Sequence, residues 1–476
     1  DDRPGESWPI NLDTFSGFVR RPHGAITKRE SDLIKNIRRH HNPPSPLLHV
    51  RIFPRWLDAE LLGRIRTVIG DGYMQTSNVT ARYQISPGTI LVRDIRADGK
   101  SMPGNITLPI KVGDTIMMGR FKNKKVIVTG HTGFKGSWLA FWLTNLGAKV
   151  MGISKDIPTN PSHFSLIKLN KKILSKKIDI RDLKALKKIF NNYKPDYVFH
   201  LAAQSIVKKS YSETIKTWNT NLIGTVNIME ALKSLKKNKN IIAVLITSDK
   251  AYKNLEKKTG YKETDLLGGL DPYGASKSAA EIAISSYIKS FFSSKKNNTF
   301  ITVARAGNVI GGGDWSNDRL IPDCMKSWLK GKRVLIRNPI STRPWQHVLE
   351  VLNGYLKLAA SLKLNKKLHG EAFNFGPVTQ KNYKVLDVLK NVKKTWPDIN
   401  WKIKKNKNFF ENVLLQLDSN KARKIINWRP VLKFDETIKL TVEWYKYYAR
   451  SKNNISSKSL EQIIYYQKVL KKNKFI

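Results

Sequence analysis

The sequence predicts an α/β protein built on a Rossmann-type, doubly wound parallel sheet. Two observations support this: apolar runs alternate with amphipathic helical stretches, and a glycine-rich turn joins the first run to the first helix. The apolar runs, interpreted as strands, cover 126–129, 150–153, 197–201, 241–247 and 300–305. Helical stretches lie between them, notably at 137–146, 220–232 and 275–291. Alternation of this kind predicts a parallel sheet covered by helices on both faces.

The distribution of basic residues divides the chain. It has 476 residues and a formal net charge of +48. Before Met117 there are 13 Arg and 4 Lys, whereas the remainder has 10 Arg and 58 Lys. This change indicates an N-terminal extension or fusion at 1–116, joined to an enzyme that begins near 119. The lysines are spread over helical faces and loops, so we favour a solvated surface, with a non-catalytic nucleic-acid-binding protein as a remote alternative.

Residues 1–116 carry no recognisable function. Alternating runs at 89–93 and 107–112 predict a small β-containing segment. Three histidines could ligate a metal, but no acidic or cysteine partner stands at a ligand spacing, so we favour ordinary surface or core histidines and predict no metal site. They are His40, His41 and His49.

The sequence indicates a cytoplasmic protein. No run of about 18 uncharged apolar residues occurs, and no signal-peptide pattern stands at the start. The single cysteine, Cys324, cannot form an internal disulfide, which fits a reducing compartment. We therefore expect no membrane insertion.

The glycine-rich turn follows the first predicted strand with a GxxGxxG spacing. Glycines here allow a tight turn and let a dinucleotide pyrophosphate approach backbone N–H groups at a helix N-terminus, where the dipole favours negative charge. A structural turn is the alternative, but the strand before it and the helix after it favour dinucleotide binding. The candidate cofactor-binding residues are Gly130, Thr132, Gly133, Phe134, Lys135 and Gly136.

Two positions concern the adenosine half of such a cofactor. Asp179 and Ile180 follow a short apolar run and could place a carboxylate against the adenine amino group, although Asp179 could equally be a turn or cap residue. After the second strand, where an acidic residue usually binds the ribose hydroxyls, the sequence is Ser-Lys-Asp at 154–156. The preference for NAD over NADP is therefore less secure than dinucleotide binding itself.

Tyr273 and Lys277 stand four residues apart at the start of a predicted helix, which places them on one face. A nearby ammonium stabilises a phenolate, so we expect a lowered pKa for Tyr273 that lets it take a hydroxyl proton near neutral pH. From the spacing alone, the pair could also be a surface contact.

Ser248, Asp249 and Lys250 close the predicted strand at 241–247. They should lie at the carboxyl edge of the sheet, where ligands bind in such folds. An Asp beside a Lys can be a solvated pair, but this location favours a functional role. Asp can donate a proton to a leaving hydroxide if its pKa is raised, and Lys can remove a carbon-bound proton if its pKa is lowered.

With these residues in place, the chain resembles the extended short-chain dehydrogenase/reductase family, whose members carry an early GxxGxxG and a later YxxxK. The resemblance covers 119–455 and implies NAD as the cofactor. It also implies a dinucleotide-binding part at about 121–306 and a smaller C-terminal substrate-binding part at about 307–455. Further cofactor-binding residues implied by it are Leu201, Ala202, Ala203, Asn221, Tyr273 and Lys277.

Longer strings are similar to those of the CDP-glucose 4,6-dehydratases within that family. They occupy 130–139, 247–250, 305–315 and 343–350. The resemblance implies conversion of CDP-glucose to CDP-4-keto-6-deoxyglucose, for deoxysugar and surface-polysaccharide synthesis. Relatives that act on dTDP-glucose typically have Asp-Glu where this chain has Asp249-Lys250. The alternative is a nucleotide-sugar 4-epimerase or a dehydratase that uses another nucleotide.

This resemblance implies a role for each candidate catalytic residue. Tyr273, supported by Lys277 and Ser248, would remove the proton of the sugar 4-hydroxyl while hydride leaves C4. Lys250 would then take the C5 proton while Asp249 protonates the departing 6-hydroxyl, and the hydride would return to C6. NAD would stay bound through turnover, because the net redox change is zero.

Substrate phosphates need cations and oriented donors. The candidates, by resemblance, are Asn308, Arg319 and Arg343. Arg343 could instead be an ion-pair residue near Glu350. His347 is better interpreted as a packing or substrate-side residue than as a base, and Trp315 and Trp345 either frame the nucleotide or fill the core.

The chain departs from the family pattern in three places. Gly274 replaces a small hydroxyl residue, and Phe-Glu-Asn at 410–412 replaces a His-Glu-Ala stretch, which puts a nucleotide contact there in doubt. Residues 456–476 add a basic tail, either an extra helix or a disordered end. The family also implies a homo-oligomer, a dimer or a tetramer, formed through long helices.

Overall fold

In the computed structural model, the chain divides into two compact units, Asp1–Ile116 and Met117–Ile476. In the first unit, the structure describes the backbone of four strands. In the second it describes residues 119–235, 239–257, 259–294, 296–336, 338–377, 383–403 and 415–473, except the side chain of Arg343. The predictions for His40, His41, His49 and 410–412 fall outside these residues.

The first unit contains an antiparallel sheet. Its strands are β1 (Gly72–Gln75), β2 (Val79–Ser86), β3 (Thr89–Arg96) and β4 (Ser101–Pro109), paired in that order. The predicted run at 89–93 lies in β3, and the run at 107–112 overlaps the end of β4.

The second unit contains strands and helices in alternation. The strands are β5 (Lys125–Thr129), β6 (Lys149–Ser154), β7 (Leu174–Lys177), β8 (Tyr197–His200), β9 (Ile241–Ile246), β10 (Thr299–Ala306), β11 (Val309–Ile310), β12 (Val334–Ile336), β13 (Thr342–Arg343), β14 (Gln346–His347), β15 (Ala372–Phe375), β16 (Tyr383–Lys384) and β17 (Trp401–Ile403). The helices are α1 (Phe134–Asn145), α2 (His163–Leu166), α3 (Leu183–Tyr193), α4 (Val207–Ser212), α5 (Thr214–Trp218), α6 (Gly224–Lys233), α7 (Pro272–Tyr287), α8 (Leu320–Trp328), α9 (Val348–Leu364), α10 (Val385–Thr395), α11 (Asn420–Ile426), α12 (Phe434–Arg450) and α13 (Ile455–Lys472).

Seven of these strands form one parallel sheet in the order β15-β10-β9-β8-β5-β6-β7. The sheet grows outward in two directions from the β5–β8 pair, so the loops after these two strands diverge. Ligands of doubly wound folds bind in the crevice that this divergence opens at the carboxyl edge. The predicted Rossmann-type sheet is confirmed.

The two faces of the sheet carry separate apolar cores because successive strand residues point in opposite directions. Val126 and Val128 of β5 face the larger core with Trp138 of α1, whereas Ile127 faces the smaller core with Ile284 of α7. Burial on both faces explains why the central strands are almost uniformly apolar.

Some elements differ from the sequence prediction. The edge strand β7, whose four residues are exposed, was not among the predicted strands. The predicted helix at 220–232 begins as a π-helical turn, Asn219–Ile223, and continues as α6. The predicted helix at 275–291 starts earlier, at Pro272, where Asp271 caps its N-terminus.

Residues 456–472 of the basic tail lie in α13, a helix of the second unit. α13 buries Ile463, Tyr466 and Leu470, and the Tyr466 hydroxyl donates to Glu350 Oε2 at 2.6 Å. Its apolar face is hidden in the sequence by the lysines on the opposite side. None of the helices in the described part of the chain is long and apolar enough to cross a membrane.

Candidate active site

The glycine turn has no room for side chains. Gly130 has a φ of +75°, and a Cβ added there would lie 2.8 Å from the backbone N of Ala202. A Cβ on Gly136 would lie 2.0 Å from the Gly130 carbonyl oxygen. Both distances are below any contact that real Cβ atoms make, so these glycines are required by the close approach of α1 to the turn and of the β8 loop to β5.

The N-terminus of α1 is open to an anion. Gly133 is its N-cap and supplies no side-chain hydrogen bond, and the first turn contains no acidic residue. A side-chain hydrogen bond fixes the glycine turn: Thr132 Oγ1 donates to the Asp156 carbonyl at 2.6 Å. The first-turn amides and the helix dipole therefore suit a phosphate.

His131, which the sequence did not single out, braces this turn. Its Nδ1 lies 2.9 Å from Ser154 Oγ and its Nε2 lies 2.7 Å from Ser175 Oγ, so it ties the turn to β6 and β7. Burial lowers the pKa of His131 to about 4, and the ring is therefore neutral near pH 7. Ser154, at the end of the second strand, thus helps to fix the glycine turn.

Asp179 is a charged turn residue. Its carboxylate accepts hydrogen bonds from Arg181, including one from Nη2 at 2.7 Å, and Lys155 Nζ lies 3.7 Å away. The hydrogen bonds from Arg181 lower the pKa of Asp179. The neighbouring Ile180 is buried against α6, where a Cβ on Gly224 would lie 2.5 Å from its Cδ1. A contact from either residue to adenine stays a prediction.

The loop after β8 approaches the glycine turn and is tied to α7. Ala202 N donates to Thr129 Oγ1 at 3.1 Å. The buried side chain of Asn221 accepts from Gln204 N at 2.8 Å and donates to Ser276 Oγ at 2.9 Å. The candidate cofactor residues in this loop, which share an intermediate exposure, are Leu201, Ala202 and Ala203.

The turn after β9, residues Ser248–Ala251, is called the catalytic turn below. Ser248 caps it, and its Oγ donates to Asp249 Oδ1 at 2.9 Å, where Lys250 N also donates at 2.8 Å. Burial raises the pKa of Asp249, although the charge of Lys250 and these hydrogen bonds oppose the rise. Asp249 is only 8% exposed, and its raised pKa favours the protonated form relative to a free carboxyl group.

Tyr273 lies in the first turn of α7, beside Ser248. Asp271 Oδ1 accepts from the backbone N of Tyr273 at 3.1 Å and so fixes the start of the helix. Burial raises the pKa of Tyr273 to about 12, against the effect of a hydrogen bond with Ser248. The expected lowering of the Tyr273 pKa by Lys277 is therefore wrong, because burial dominates.

The Lys277 amine has a different partner from the one expected. Its Nζ donates to the Ile246 carbonyl at 3.4 Å, at the end of β9. Burial, together with the charge of Lys135, lowers the pKa of Lys277 to about 8. Lys277 thus lies behind the catalytic turn with an amine that is partly neutral near pH 8.

Lys135, a candidate cofactor-binding residue of the glycine turn, lies near Asp249 of the catalytic turn. Burial lowers its pKa to about 8, and its amine is close enough to Arg319, Asp249 and Asp314 to interact electrostatically with all three. Arg319 Nη1 is itself held by Asp314 Oδ2 at 3.1 Å. The structure therefore brings Lys135 and Arg319 together with the catalytic turn, at one edge of the sheet.

The remaining substrate candidates are less tightly placed. Asn308 is exposed in the loop between β10 and β11, and the backbone of Arg343 lies in β13, paired with Tyr383. Glu350 accepts from the backbone N of Val431 and of Leu432. These bonds and the one from Tyr466 commit both of its carboxylate oxygens.

Three further side chains belong to the packing. His347 is fully buried, its Nδ1 accepts from Leu349 N at 3.3 Å, and burial lowers its pKa to about 3. Trp315 packs edge-on against Tyr445, with ring centroids 5.2 Å apart. Trp345 Nε1 donates to the Tyr383 carbonyl. His347 is therefore a helix-capping residue, and Trp315 fills the core.

The chain is similar to nucleotide-sugar enzymes along most of this unit. The family described as GDP-mannose 4,6 dehydratase matches residues 127–441. A CDP-glucose 4,6-dehydratase of Salmonella typhimurium is 42% identical over 337 residues, 70% of this chain and 93% of the relative. A dTDP-glucose 4,6-dehydratase of Haemophilus influenzae is 25% identical over 348 residues, 68% of this chain and 99% of the relative.

Solved structures share the fold. A UDP-glucose 4-epimerase of Thermotoga maritima, solved with UDP-glucose, superposes with a TM-score of 0.57 at 25% identity and covers 68% of this chain and 98% of its own. A dTDP-glucose 4,6-dehydratase of Bacillus anthracis, solved in complex with NAD, gives a TM-score of 0.55 at 21% identity, with 68% and 96% covered.

We predict that Gly136→Ala abolishes dinucleotide binding, because the new Cβ would overlap the Gly130 carbonyl oxygen. Affinity for NAD, used as the probe in calorimetric titration, should fall about 100-fold or more. Gly119→Ala is the matched control, since a Cβ there meets nothing within 4 Å. Equal affinity in the two variants would contradict the assignment of the turn.

Proposed function

This chain belongs to the GDP-mannose 4,6-dehydratase family of extended short-chain dehydrogenases, and we propose that it converts CDP-glucose to CDP-4-keto-6-deoxyglucose with NAD as a bound cofactor. One observation carries the proposal: Ser248, Asp249 and Lys250 form one turn against Tyr273, in a chain 42% identical to a CDP-glucose 4,6-dehydratase. The single, buried Cys324 supports the expected cytoplasmic location.

The glycine turn and the N-terminus of α1 fit a dinucleotide. A Cβ on Gly130 or Gly136 would meet backbone, so these glycines let α1 pack closely on the turn. The first-turn amides of α1, which no side chain caps, would bind the pyrophosphate. Leu201, Ala202 and Ala203, in the loop after β8, would help to hold the dinucleotide. The chemistry that NAD supplies when bound is reversible hydride transfer.

The oxidation of the sugar depends on Tyr273 and its neighbours. Tyr273 would take the proton of the 4-hydroxyl, and Ser248, hydrogen-bonded to the phenol, would hold that hydroxyl in line. Arg319 is a cation whose charge lowers the pKa of Tyr273 and so opposes burial. Lys277 adds a second positive charge from behind the catalytic turn.

The elimination of water depends on the catalytic turn. The new 4-ketone acidifies the C5 proton, which Lys250 would remove as the general base and return to C5 when the hydride adds to C6. Asp249, with its raised pKa, would donate a proton to the departing 6-hydroxyl. The two residues are neighbours, so base and acid would act on adjacent carbons of one bound sugar.

The nucleotide part of the substrate would be held by cations near the cleft. Arg319, fixed by Asp314, is the best-oriented candidate, and Asn308 and Arg343 remain predicted contacts. A 4-epimerase would not need an acid beside a base at this turn, and Asp249-Lys250 therefore favours the dehydratase.

We also propose that the protein is a homo-oligomer formed through adjacent helices. α7 packs against α4 and α5, and these elements expose large apolar side chains. The most exposed are Ile215 at 74%, Tyr211 at 65% and Ile282 at 61%. A self-complementary surface of this kind suits a two-fold dimer, and two dimers could form a tetramer.

We predict that Ile215→Lys combined with Ile282→Lys yields monomers in sedimentation experiments, because lysines would put like charges into the contact. Leu364→Lys, at a residue 65% exposed at the end of α9, should keep the native mass. A mass unaffected by the double substitution would place the contact elsewhere, and a monomeric wild type would contradict oligomerisation.

We predict that CDP-glucose loses one water molecule without consumption of free NAD, because the oxidation at C4 and the reduction at C6 cancel. Mass spectrometry after incubation with CDP-, dTDP-, UDP- and GDP-glucose would identify the substrate. Stoichiometric NADH, or a product of unchanged mass, would show a dehydrogenase or an epimerase instead.

A further inference from the structure

A buried ion pair lies directly behind the catalytic turn. Glu281 is one helical turn beyond Lys277 on α7, and Arg305 lies near the end of β10. Arg305 donates from Nε to both Glu281 oxygens at 2.9 Å and from Nη2 to Oε2 at 2.5 Å. The two side chains are 4% and 5% exposed, so solvent does not weaken this pair.

The pair contacts both ends of the catalytic turn. Thr247, just before the turn, donates from Oγ1 to Glu281 Oε1 at 2.5 Å. Tyr252, just after it, accepts at its hydroxyl from Arg305 Nη1 at 2.6 Å. The Tyr252 hydroxyl donates onward to Asn374 Oδ1 at 2.8 Å in β15. The ion pair thus joins α7 and β10 to both flanks of the catalytic turn, and Tyr252 extends the network to β15.

We propose that Glu281 and Arg305 form a clamp that sets the position of the catalytic turn relative to Tyr273 and Lys277, and that they are therefore positioning residues for water elimination. The inference rests on the proposed dehydratase function. Neither side chain reaches the cleft, and both act through Thr247 and Tyr252. The clamp holds the catalytic turn at Thr247 and at Tyr252. Loss of either hydrogen bond would let Asp249 and Lys250 shift, while Tyr273, on α7, stays in place.

Two substitutions release one end each without leaving a buried charge unpaired. In Thr247→Val, Glu281 keeps its bonds from Arg305. In Tyr252→Phe, Arg305 Nη1 keeps its bond to the Glu263 carbonyl, at 3.1 Å. Both variants should therefore fold, whereas removal of Glu281 or Arg305 would leave an isolated buried charge.

Tyr466→Phe is the matched control. It also deletes a buried tyrosine hydroxyl that is hydrogen-bonded within a buried acidic network, here by donation to Glu350 Oε2 at 2.6 Å. It acts on the contact between α9 and α13, and should lower thermal stability as Tyr252→Phe does. A purely structural role of the clamp would therefore make the three variants kinetically alike.

The first test is a single turnover of CDP-glucose, followed at the NADH absorbance band. We expect NADH to form at the wild-type rate in Thr247→Val and Tyr252→Phe, and its decay to be about 10- to 100-fold slower, because elimination depends on the displaced turn. Tyr466→Phe should keep wild-type decay. Wild-type decay in all three variants would overturn the clamp.

The second test needs no substrate. Amide hydrogen exchange of residues 247–252 should be faster in Thr247→Val and Tyr252→Phe than in wild type, and unchanged in Tyr466→Phe. Unchanged exchange in both clamp variants would overturn the proposal. If wild type fails to dehydrate CDP-glucose, the proposed function falls, and exchange still decides whether the turn is clamped.

Discussion

The close approach of α7 to the catalytic turn is the contact on which the site depends. A Cβ on Gly274 would lie 2.7 Å from the Lys250 carbonyl oxygen, and Ser278 Oγ donates to the Ala251 carbonyl at 2.7 Å. The glycine at 274, a departure from the family pattern, therefore suits the small space available. This packing puts the Tyr273 phenol against Ser248 and brings residues from distant parts of the chain to one edge of the sheet.

Burial decides the charges in this cleft. It raises the pKa of Asp249 and of Tyr273, and it lowers the pKa of Lys135 and of Lys277 to about 8. Asp249, Lys135 and Lys277, which would be ionised in water near pH 7, are thereby moved toward neutrality, and Tyr273 is held in its neutral form. A buried acid that keeps its proton can act as a proton donor.

The sequence predicted the central sheet well because β5, β6, β8 and β9 are apolar on both faces. It missed β7, whose residues are exposed, and it left the tail undecided because lysines hide the buried stripe of α13. Motifs located the glycine turn and the catalytic turn. The sign of the Tyr273 pKa shift depends on burial and could not be read from the Tyr-Lys spacing.

Residues that hold other residues in position could not be identified from the sequence either. Glu281 and Arg305 are 24 positions apart, and no sequence motif predicts an ion pair between them. His131 was not among the candidate residues, although its two ring nitrogens join the glycine turn to β6 and β7. The contact between α7 and β10 brings Glu281 to Arg305. The parallel pairing of β5 with β6, and of β6 with β7, brings Ser154 and Ser175 to His131.

We propose that Lys250 acts as the base in elimination while Tyr273 serves the oxidation. A single-turnover absorbance trace of Lys250→Met with CDP-glucose tests this division of roles. We expect prompt formation of NADH, followed by decay about 100- to 10,000-fold slower than in wild type, because hydride leaves C4 but the C5 proton stays. Absence of NADH, or nearly normal turnover, would contradict it.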